Sequence, residues 1–381
     1  MDTSLFAAAL DTSRAILLRN HRLMRSDLLK NVKRIVVKLG TAVLTDARKH
    51  PDPAQIGQLV AQMAQLRRAG REVVIVTSGA VGAGMGVLGF EKRPESVADQ
   101  QACAAVGQSR LMATYEKLFS EYDLHVAQVL LTHADLQHEE RHRNARNTLT
   151  TLLRRGVIPI INENDAVSTT ELKFGDNDKL SALVAALLPA DLLVILTSVD
   201  GVMENFGKAN ARKLSVIESI DENVEKLAGG TSSETAVGGM KSKIQAAKIV
   251  VRTGIPLVIA PGMSKTVLSA VMRGEDVGTL FLPKPAKLRG RKRWIAFFHH
   301  PRGAVFVDNG ARRALIENGR SLLPPGVTKC EGEFDAGEIV SICDEEGTEF
   351  ARGMSSISAK EMAAKKNVRG EIVHRDDLVI L

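Results

Sequence analysis

The strongest constraint on the fold is an alternation of short apolar runs with amphipathic segments over roughly the first 282 residues. The apolar, β-branched runs are residues 34–37, 73–76, 126–130, 157–161, 192–196 and 257–259. Helical periodicity marks the intervening segments 53–68, 97–119 and 241–252. Strands this apolar belong to a sheet that is covered on both faces. The pattern therefore predicts an α/β fold, with a mostly parallel sheet flanked by helices.

The pattern changes in the last quarter of the chain. Residues 281–290 contain two prolines and the start of a basic run, which is typical of a linker. Short strand-like pieces follow at 294–298, 304–307, 338–342 and 378–381, with one helix at 311–318. We therefore expect an N-terminal extension at 1–30, an α/β domain at 31–283 and a small β-rich domain at 291–381.

The net charge of +7 raises the question of nucleic acid, but the excess is local. Seven basic residues and no acidic residue lie between Lys284 and Arg302, and that run equals the whole excess. From Gly303 onward, acidic residues outnumber basic ones by fourteen to ten. A dedicated nucleic-acid binder is often basic over a whole domain or face, so RNA is a possible partner but not the favoured one.

The cysteines and the apolar runs indicate the compartment. Cys103, Cys330 and Cys343 are odd in number and lack metal-ligand spacing, which favours free thiols in a reducing, cytoplasmic environment. No apolar run approaches the ~18 residues of a membrane span. The interrupted apolar stretches near the N-terminus also do not resemble a secretory signal. No membrane partner is expected.

Residues with chemical potential follow the first two strands. Lys38 lies at the end of the first strand, before a turn at Gly40, where it can point into a crevice or simply into solvent. The second strand ends in Thr-Ser-Gly-Ala-Val-Gly-Ala-Gly at 77–84, and such small residues allow backbone N–H groups to approach an anion. A G-x-G-x-x-G match at 84–89 lies several residues past the strand and lacks the expected downstream acid, which argues against a dinucleotide site.

Two polar segments form a denser cluster. Residues 160–165 (Ile-Ile-Asn-Glu-Asn-Asp) follow a strand, and residues 174–178 (Phe-Gly-Asp-Asn-Asp) open the next helix. Together they carry four carboxylates and three amides. Such groups could hold the ammonium group of an amino acid or a Mg²⁺ ion. They could also form an ordinary polar loop and helix cap.

A third anion-binding candidate is Gly-Gly-Met-Lys-Ser-Lys at 238–243, before a helix. Two glycines expose backbone N–H groups, and a lysine one turn in can reach the same anion. The segment lacks the upstream glycine of a Walker A loop, and a capped surface helix is the alternative.

Two further motif matches are interpreted as coincidental. His-Glu-Glu-Arg-His at 138–142 fits a zincin pattern, but its charged surroundings and the lack of an evident third ligand favour a solvated helix or loop. His-Arg-Asp at 374–376 is similar to a protein-kinase catalytic loop, but the chain ends too soon to complete that lobe.

Seven segments in fixed order resemble the amino-acid kinase family over residues 31–282. They are VVKLGTAVL, IVTSGAVGAG, AVGQSRLM, NARNTL, VIPIINENDAV, FGDNDKLSALVA and GGMKSKIQAA. The segments RKRW, SLLPPGV and HRDDLVIL near the C-terminus resemble a PUA domain. The segments INENDAV and GDNDKLSA together resemble those of the family members that use ATP to phosphorylate the side-chain carboxylate of free L-glutamate. That reaction is the first step of proline biosynthesis.

The resemblance implies roles for individual residues. Lys38 and Lys243 would contact the transferred phosphoryl group, and Asp178 would organise both lysines. The glutamate-binding residues would be Ser78, Asn162, Asp165, Asp176 and Asn177. The nucleotide-binding residues would be Lys38, Thr197, Ser198, Val237, Gly238, Gly239, Met240, Lys241, Ser242 and Lys243. Ser198 and Val237 depart from the family pattern, where Asp and Thr are common, which affects only the fine nucleotide contacts.

The resemblance also implies cofactors and partners. They are Mg²⁺ with ATP, proline as a feedback inhibitor, a second copy of the chain in a homo-oligomer, and a glutamyl-phosphate reductase that consumes the product. The alternatives are another member of the family, acting on acetylglutamate, carbamate, aspartate or UMP, and an RNA-binding protein that works through its PUA-like domain.

Overall fold

The computed structural model describes residues 23–46, 50–168, 177–228, 239–284, 288, 290–299, 301–364 and 370–381. The chain divides into two compact units, Met1–Ala286 and Lys287–Leu381. Within the described residues, no helix combines the length and the apolar character needed to span a membrane.

The first unit is built on a mostly parallel sheet, as predicted. Its described strands are β1 (Arg34–Leu39), β2 (Glu72–Val76), β3 (Val126–Leu131), β4 (Ile158–Glu163), β5 (Leu192–Thr197), β6 (Met203–Glu204), β7 (Arg212–Lys213), β8 (Val216–Ile217), β9 (Leu257–Pro261) and β10 (Thr279–Phe281). Eight of them form one sheet in the order β3-β4-β2-β1-β5-β9-β10-β8, and β6 pairs with β7. Among the described strands of the large sheet, only β9 and β10 pair in antiparallel fashion.

Helices cover this sheet. They are α1 (Thr41–Leu44), α2 (Pro53–Arg68), α3 (Ala80–Leu88), α4 (Val97–Ser120), α5 (His133–Gln137), α6 (Glu139–Arg154), α7 (Asp178–Leu187), α8 (Glu222–Leu227), α9 (Met240–Arg252) and α10 (Val267–Met272). All six residues of β4 and all six of β5 are buried, which explains why both strands are apolar up to their carboxyl ends. Because β1 pairs with β2 on one side and β5 on the other, the residues at its carboxyl end lie at the centre of the sheet edge.

The helical residues 23–29 belong to the packed structure of this unit, although the sequence places them in an extension. Leu29 is part of the hydrophobic core. Arg25 is fully buried, and its guanidinium donates hydrogen bonds to four backbone carbonyl oxygens. The acceptors are the carbonyls of Ser215, Glu275, Val277 and Gly278. These bonds fasten the start of the described chain to the segments that precede β8 and β10.

The second unit is β-rich, as predicted. Its strands are β11 (Gly303–Val307), β12 (Val327–Gly332), β13 (Ile339–Cys343), β14 (Glu349–Met354) and β15 (Leu378–Ile380), arranged in the order β12-β11-β13-β14-β15. Its helices are α11 (Gly290–Phe297), α12 (Asn309–Asn318) and α13 (Ala359–Ala364), with short 3₁₀ turns at Pro324–Gly326 and Arg375–Asp377. A separate hydrophobic core includes Val305, Val340 and Ile342.

Two local predictions near the linker are wrong. Residues 294–298 were expected to form a strand, but most of them lie in the helix α11. A five-residue apolar run does not distinguish a buried strand from a buried helix turn, and here Trp294, Ile295 and Ala296 are buried in succession. The linker was also expected to begin at Phe281, but Phe281 is the buried last residue of β10.

Candidate active site

Two lysines and one aspartate meet at the carboxyl edge of the large sheet. Nζ of Lys38 lies 2.6 Å from Oδ1 of Asp178, and Nζ of Lys243 lies 3.0 Å from Oδ2 of the same carboxylate. The hydroxyl of Ser242 donates a further hydrogen bond to Oδ2 at 2.9 Å. All three charged side chains are less than one-tenth exposed. The cluster therefore carries two ammonium groups against one carboxylate, with a formal surplus of one positive charge.

The fold brings these residues together from distant parts of the sequence. Lys38 is the fifth residue of β1, Asp178 is the first residue of α7, and Lys243 lies in the first turn of α9. An aspartate in the first turn of a helix is also favoured by the helix dipole. Gly40 follows β1, and a Cβ there would lie 3.3 Å from the carbonyl oxygen of Leu196 and 3.8 Å from Nζ of Lys38. The glycine thus keeps the space beside the ammonium group open.

A chain of amide side chains continues from the residue before Asp178. Nδ2 of Asn177 donates to Oγ of Ser78 at 3.1 Å and to Oδ1 of Asn162 at 2.8 Å. Nδ2 of Asn162 donates to Oε1 of Gln108 at 2.9 Å, and Nε2 of Gln108 donates to Oε1 of Gln128 at 2.9 Å. Because each amide fixes the orientation of the next, this chain rigidly links the lysine cluster to β3. Three of the predicted glutamate-binding residues belong to it.

A close helix crossing places Gln108 in this chain. The backbones of α3 and α4 approach so closely that a Cβ on Gly107 would lie 1.9 Å from the carbonyl oxygen of Ala80. A Cβ on Gly84 would lie 1.9 Å from the carbonyl oxygen of Cys103. Only glycine fits at either position, so the crossing fixes how far α4 reaches toward the sheet edge. Gly84 therefore has a packing role within α3 rather than a place in a dinucleotide-binding turn.

Asp165 lies in a cavity beside the amide chain. The cavity has a volume of about 200 Å³, and its polar lining includes Gln108, Gln128, Glu163 and Asp165. Burial, followed by the negative charge of Glu163, raises the pKa of the Asp165 carboxyl to about 7, while Arg93 opposes the rise. A carboxylate with such a pKa is destabilised by its surroundings, and a bound cation would relieve that destabilisation.

Glu163 is the most deeply buried acid of the cavity. Its side chain is 0% exposed, and neither carboxylate oxygen has a hydrogen-bond partner among the described residues. Nδ1 of His133 lies 3.5 Å from Oε2 of Glu163, beyond a normal hydrogen bond for that geometry. The pKa of the Lys179 ammonium is lowered by burial, with the charge of Glu163 acting in the opposite direction. This end of the site therefore carries two carboxylates, Glu163 and Asp165, with Lys179 and Arg93 as the nearby cations.

The remaining predicted nucleotide residues lie around the same edge. Thr197 ends β5 and is buried, whereas Ser198 is exposed. Gly239 and Met240 begin α9 and are half-buried, and Lys241 is exposed. The hydroxyl of Ser242 contacts Asp178 and the carbonyl of Gly239. Three predicted residues lie outside the described residues, namely Asp176, Val237 and Gly238.

Sequence reasoning assigned no role to several residues that the structure places here. Gln108 and Gln128 extend the amide chain. The hydroxyls of Thr77 and Tyr115 form a buried hydrogen bond of 2.8 Å just below Ser78. A signal was present for Gln128, because it is the only polar residue in an otherwise apolar strand.

The His-Glu-Glu-Arg-His segment lies at the start of α6. It is not part of the lysine cluster, the amide chain or the cavity lining. His138 occupies the N-cap position of α6 without a capping hydrogen bond from its side chain, and burial lowers the pKa of His142 to about 4. Nδ1 of His142 lies 3.2 Å from the carbonyl oxygen of Leu136. Among the described residues, no group of three or more His, Cys, Asp or Glu side chains is arranged to hold a metal ion.

Comparisons with known proteins agree on the family. The family model described as "Amino acid kinase family" matches residues 33–261, and the PUA domain model matches residues 303–375. A glutamate 5-kinase of Citrifermentans bemidjiense is 48% identical, over 94% of this chain and 100% of that protein. A glutamate 5-kinase of Moorella thermoacetica is 46% identical, over 93% of this chain and 97% of that protein.

Among solved structures, carbamate kinase from Giardia lamblia bound to AMP-PNP aligns with a TM-score of 0.48 and 18% identity. That alignment covers 67% of this chain and 100% of the carbamate kinase chain. The family model and the curated relatives match most of the sequence. The chain therefore belongs to the amino acid kinase family.

Proposed function

We propose that this protein is a glutamate 5-kinase, which transfers the γ-phosphoryl group of ATP to the side-chain carboxylate of L-glutamate. The observation that carries the proposal is the connection, through one chain of hydrogen bonds, of a lysine pair to a cavity lined by carboxylates and amides. The lysine cluster suits the phosphoryl group, and the acidic, amide-lined cavity suits an amino acid. Asn177 and Asp178 join the two regions as consecutive residues. The curated relatives carry the name of the same activity.

The chemistry requires little acid–base catalysis. The side chain of glutamate has a pKa near 4.3 and is ionised at neutral pH, so no general base has to remove a proton. A carboxylate oxygen attacks the γ-phosphorus, the bond from phosphorus to the bridging oxygen of ADP breaks, and ADP leaves with that electron pair. The main obstacle is repulsion between the attacking carboxylate and the triphosphate. Catalysis therefore depends on positioning and on neutralisation of charge.

Lys38 and Lys243 would provide that neutralisation. Their shared partner Asp178 fixes both ammonium groups, so little reorganisation is needed when charge develops on the phosphoryl oxygens. Gly239 and the first turn of α9 would direct backbone N–H groups at the phosphates, because a helix N-terminus attracts anions. Thr197, Ser198, Met240, Lys241 and Ser242 complete the proposed nucleotide side, together with Val237 and Gly238.

Glutamate would bind in the cavity. Asp165 would attract the α-ammonium group of glutamate. Hydrogen bonds would orient the bound glutamate, and the groups that make them would belong to Ser78, Asn162, Asp176 and Asn177. The amide chain fixes Asn162 and Asn177 before the substrate arrives. Preorganisation of this kind lowers the entropic cost of bringing the γ-carboxylate into line with ATP.

Mg²⁺ is proposed to enter with the nucleotide. Asp178 is the described carboxylate next to the proposed phosphoryl position, and it already binds two lysines and Ser242. The described residues therefore do not form a set of metal ligands at this position. Mg²⁺ commonly binds through phosphate oxygens and water with few protein ligands. We therefore propose that the phosphate oxygens of ATP and water bind the ion, without a ligand from the described residues.

A trapping assay tests the function. Purified protein with ATP, Mg²⁺, L-glutamate and hydroxylamine should form glutamyl hydroxamate, since hydroxylamine captures the acyl phosphate. N-acetylglutamate should react poorly, because it lacks the ammonium group that the acidic cavity would attract. Equal turnover of the two substrates would overturn the assignment to glutamate.

Proline is the proposed inhibitor, and it would occupy part of the same cavity. It shares with glutamate an α-carboxylate and a charged amine, so the inhibition should be competitive with glutamate. Initial rates over a matrix of proline and glutamate concentrations test this, and inhibition that saturating glutamate cannot relieve would indicate a remote site. A homo-oligomer and a reductase that consumes the labile product remain part of the proposal.

A further inference from the structure

A buried threonine hydroxyl holds the loop that follows β5. Thr279 is the first residue of β10 and is 0% exposed. Its hydroxyl donates a hydrogen bond to the carbonyl oxygen of Leu214 at 2.6 Å and accepts one from the backbone N–H of Val202 at 2.9 Å. The backbone N–H of Leu214 donates to the carbonyl oxygen of Val202 at 2.8 Å. The hydroxyl therefore closes a ring of hydrogen bonds where the loop 198–202 ends.

Packing alone does not require a threonine at this position. Valine has nearly the same shape and suits a buried strand, whereas a buried hydroxyl is unfavourable unless it is hydrogen-bonded. The contact around the hydroxyl is close, because a Cβ on Gly201 would lie 2.5 Å from Oγ1 of Thr279. Gly201 also has a φ of +147°, a value that favours glycine. The end of the loop is therefore shaped to meet this hydroxyl.

The loop is fixed at both ends and accessible between them. At its start, the carbonyl oxygen of Thr197 accepts a hydrogen bond from the backbone N–H of Gly262 at 2.8 Å. At its end, residues 201–202 are buried against Thr279. Residues 198–200 are exposed or half-buried. A short span with two fixed ends has few conformations, so it loses little entropy when a ligand binds.

The loop lies on the side of the sheet that carries the lysine cluster. β5 pairs with β1, and Ile195 of β5 is the register partner of Lys38. The cavity lies on the other side, since it is lined by Gln128 of β3 and by Asp165, which follows β4. In the strand order, β2 and β1 lie between β4 and β5. A change in the loop should therefore affect the nucleotide and leave glutamate binding unaltered.

We propose that Thr279 is a positioning residue for nucleotide binding, which acts through the loop 198–202 and does not touch ATP itself. The inference rests on the proposed function, because that function assigns Thr197 and Ser198 to the nucleotide. The hydroxyl of Thr279 fixes the end of the loop, so the accessible residues meet the nucleotide in one conformation. Thr279 lies outside residues 33–261, the range that the family model matches.

Arg25 makes the hydroxyl a fixed anchor. Its guanidinium donates hydrogen bonds to the carbonyl oxygens of Ser215 and Gly278. These two residues are the chain neighbours of Leu214 and Thr279. Because one buried side chain binds both segments, neither segment can follow a displaced loop. The position of Val202 is therefore set by the packed part of the unit.

The test compares Thr279→Val with Thr279→Ser in the full-length protein. Valine keeps the shape and removes the hydroxyl, whereas serine keeps the hydroxyl. Calorimetry measures the dissociation constant of a non-hydrolysable ATP analogue, and steady-state kinetics measures the KM for ATP and for glutamate. Thr279→Val should raise the dissociation constant and the KM for ATP by about 3- to 10-fold, the usual effect of one lost hydrogen bond. The KM for glutamate should stay unchanged, and Thr279→Ser should resemble the wild type.

Thr253→Val is the matched control. Thr253 is also buried, and its hydroxyl donates to a backbone carbonyl oxygen, that of Val250, at 2.7 Å. It follows the last turn of α9 and has no bond to the loop among the described residues. Its replacement should lower the thermal stability and leave both KM values unchanged. The control thus separates the loss of any buried hydroxyl from the loss of this one.

Hydrogen exchange of the wild-type protein gives a measurement that does not depend on the folding of a variant. The ATP analogue should slow amide exchange in residues 198–202, because the nucleotide would contact this loop. Glutamate alone should leave that exchange unchanged. Exchange that is insensitive to the ATP analogue would overturn the inference even if Thr279→Val failed to fold.

The outcomes of the variant comparison are also distinct. An unchanged affinity for the ATP analogue in Thr279→Val would overturn the inference, and so would an equal rise of both KM values or a serine variant as impaired as valine. A wild-type protein that binds the ATP analogue but forms no glutamyl hydroxamate would instead overturn the proposed function. A loss confined to the nucleotide and restored by serine would establish Thr279 as a positioning residue.

Discussion

The two ends of the site differ in how their charged side chains are paired. At the lysine end, Lys38 and Lys243 share one carboxylate, so positive charge is in excess. At the cavity end, the carboxylates of Glu163 and Asp165 act on each other, and Lys179 and Arg93 are the nearby cations. Both ends contain acidic residues and amides within a short stretch of sequence, so composition alone does not separate them. The spatial partners show which end suits a phosphoryl group and which suits an ammonium group.

Removal of either lysine should break this contrast most strongly. Lys38→Ala and Lys243→Ala should each lower kcat by roughly 10²- to 10³-fold, or about 2.7–4 kcal/mol, which is typical for loss of a preorganised donor at a developing charge. The KM for glutamate should change much less, since the cavity is untouched. Steady-state kinetics with ATP saturating measures both.

Lys241→Ala is the matched control for the lysine variants. Lys241 lies two residues before Lys243 on the same helix turn, but its side chain is exposed. Its removal should leave kcat nearly unchanged. A loss as large as that of Lys243→Ala would show that the positive charge of the whole turn matters, and not the pair held by Asp178.

Removal of charge from the cavity should produce the opposite kinetic pattern. Asp165→Asn should raise the KM for glutamate by about 10- to 100-fold, the usual range for a hydrogen bond to a charged group, with little change in kcat. Val167 is 70% exposed and is not part of the cavity lining, so Val167→Ala is the control and should leave both constants nearly unchanged. A fall in kcat without a change in KM would contradict the assignment of this end to substrate binding.

The pH dependence should sharpen the contrast further. The pKa of Asp165 is raised to about 7, so this carboxyl is ionised above that pH and becomes protonated as pH falls through it. The KM for glutamate should therefore rise below about pH 7, by at most about tenfold per pH unit for a single group. In Asp165→Asn this rise should disappear. A wild-type KM that is flat from about pH 6 to about pH 8 would contradict this assignment.

The smallest effect is expected from removal of the second unit. A chain that ends at Ala286 keeps all the described residues of both ends of the site, and the amino acid kinase match stops before that point. It should fold and retain kcat and KM close to those of the full chain, although assembly or inhibition by proline can change. An insoluble, inactive product would show that the first unit depends on the second.

The first unit was predictable from sequence because its strands are buried on both faces. Each of the six apolar runs corresponds to a strand, with ends that differ by one or two residues. In the second unit, β12 and β14 were missed because they have few apolar side chains. The residues 294–298 were misread because a short apolar run has no decisive periodicity.

The site was predictable only where sequence neighbours carry the chemistry. The resemblance suggested that Asp178 would organise both lysines, but its bonding to each of them emerges only from the crossing of β1, α7 and α9. Gln108 lies in the middle of a long helix, and nothing local marks it as a partner of Asn162. The approach of His133 to Glu163 likewise depends on tertiary packing.

The anchorage of Arg25 has a consequence for synthesis of the chain. Its carbonyl partners lie 190 to 253 residues further along the sequence. At a translation rate of about 5–20 residues per second, those partners emerge roughly 10–50 s after Arg25 itself. The helical residues 23–29 are therefore the first described part of the protein to be made and among the last to be fixed in place. Their protection from a protease during translation would report completion of the whole first unit.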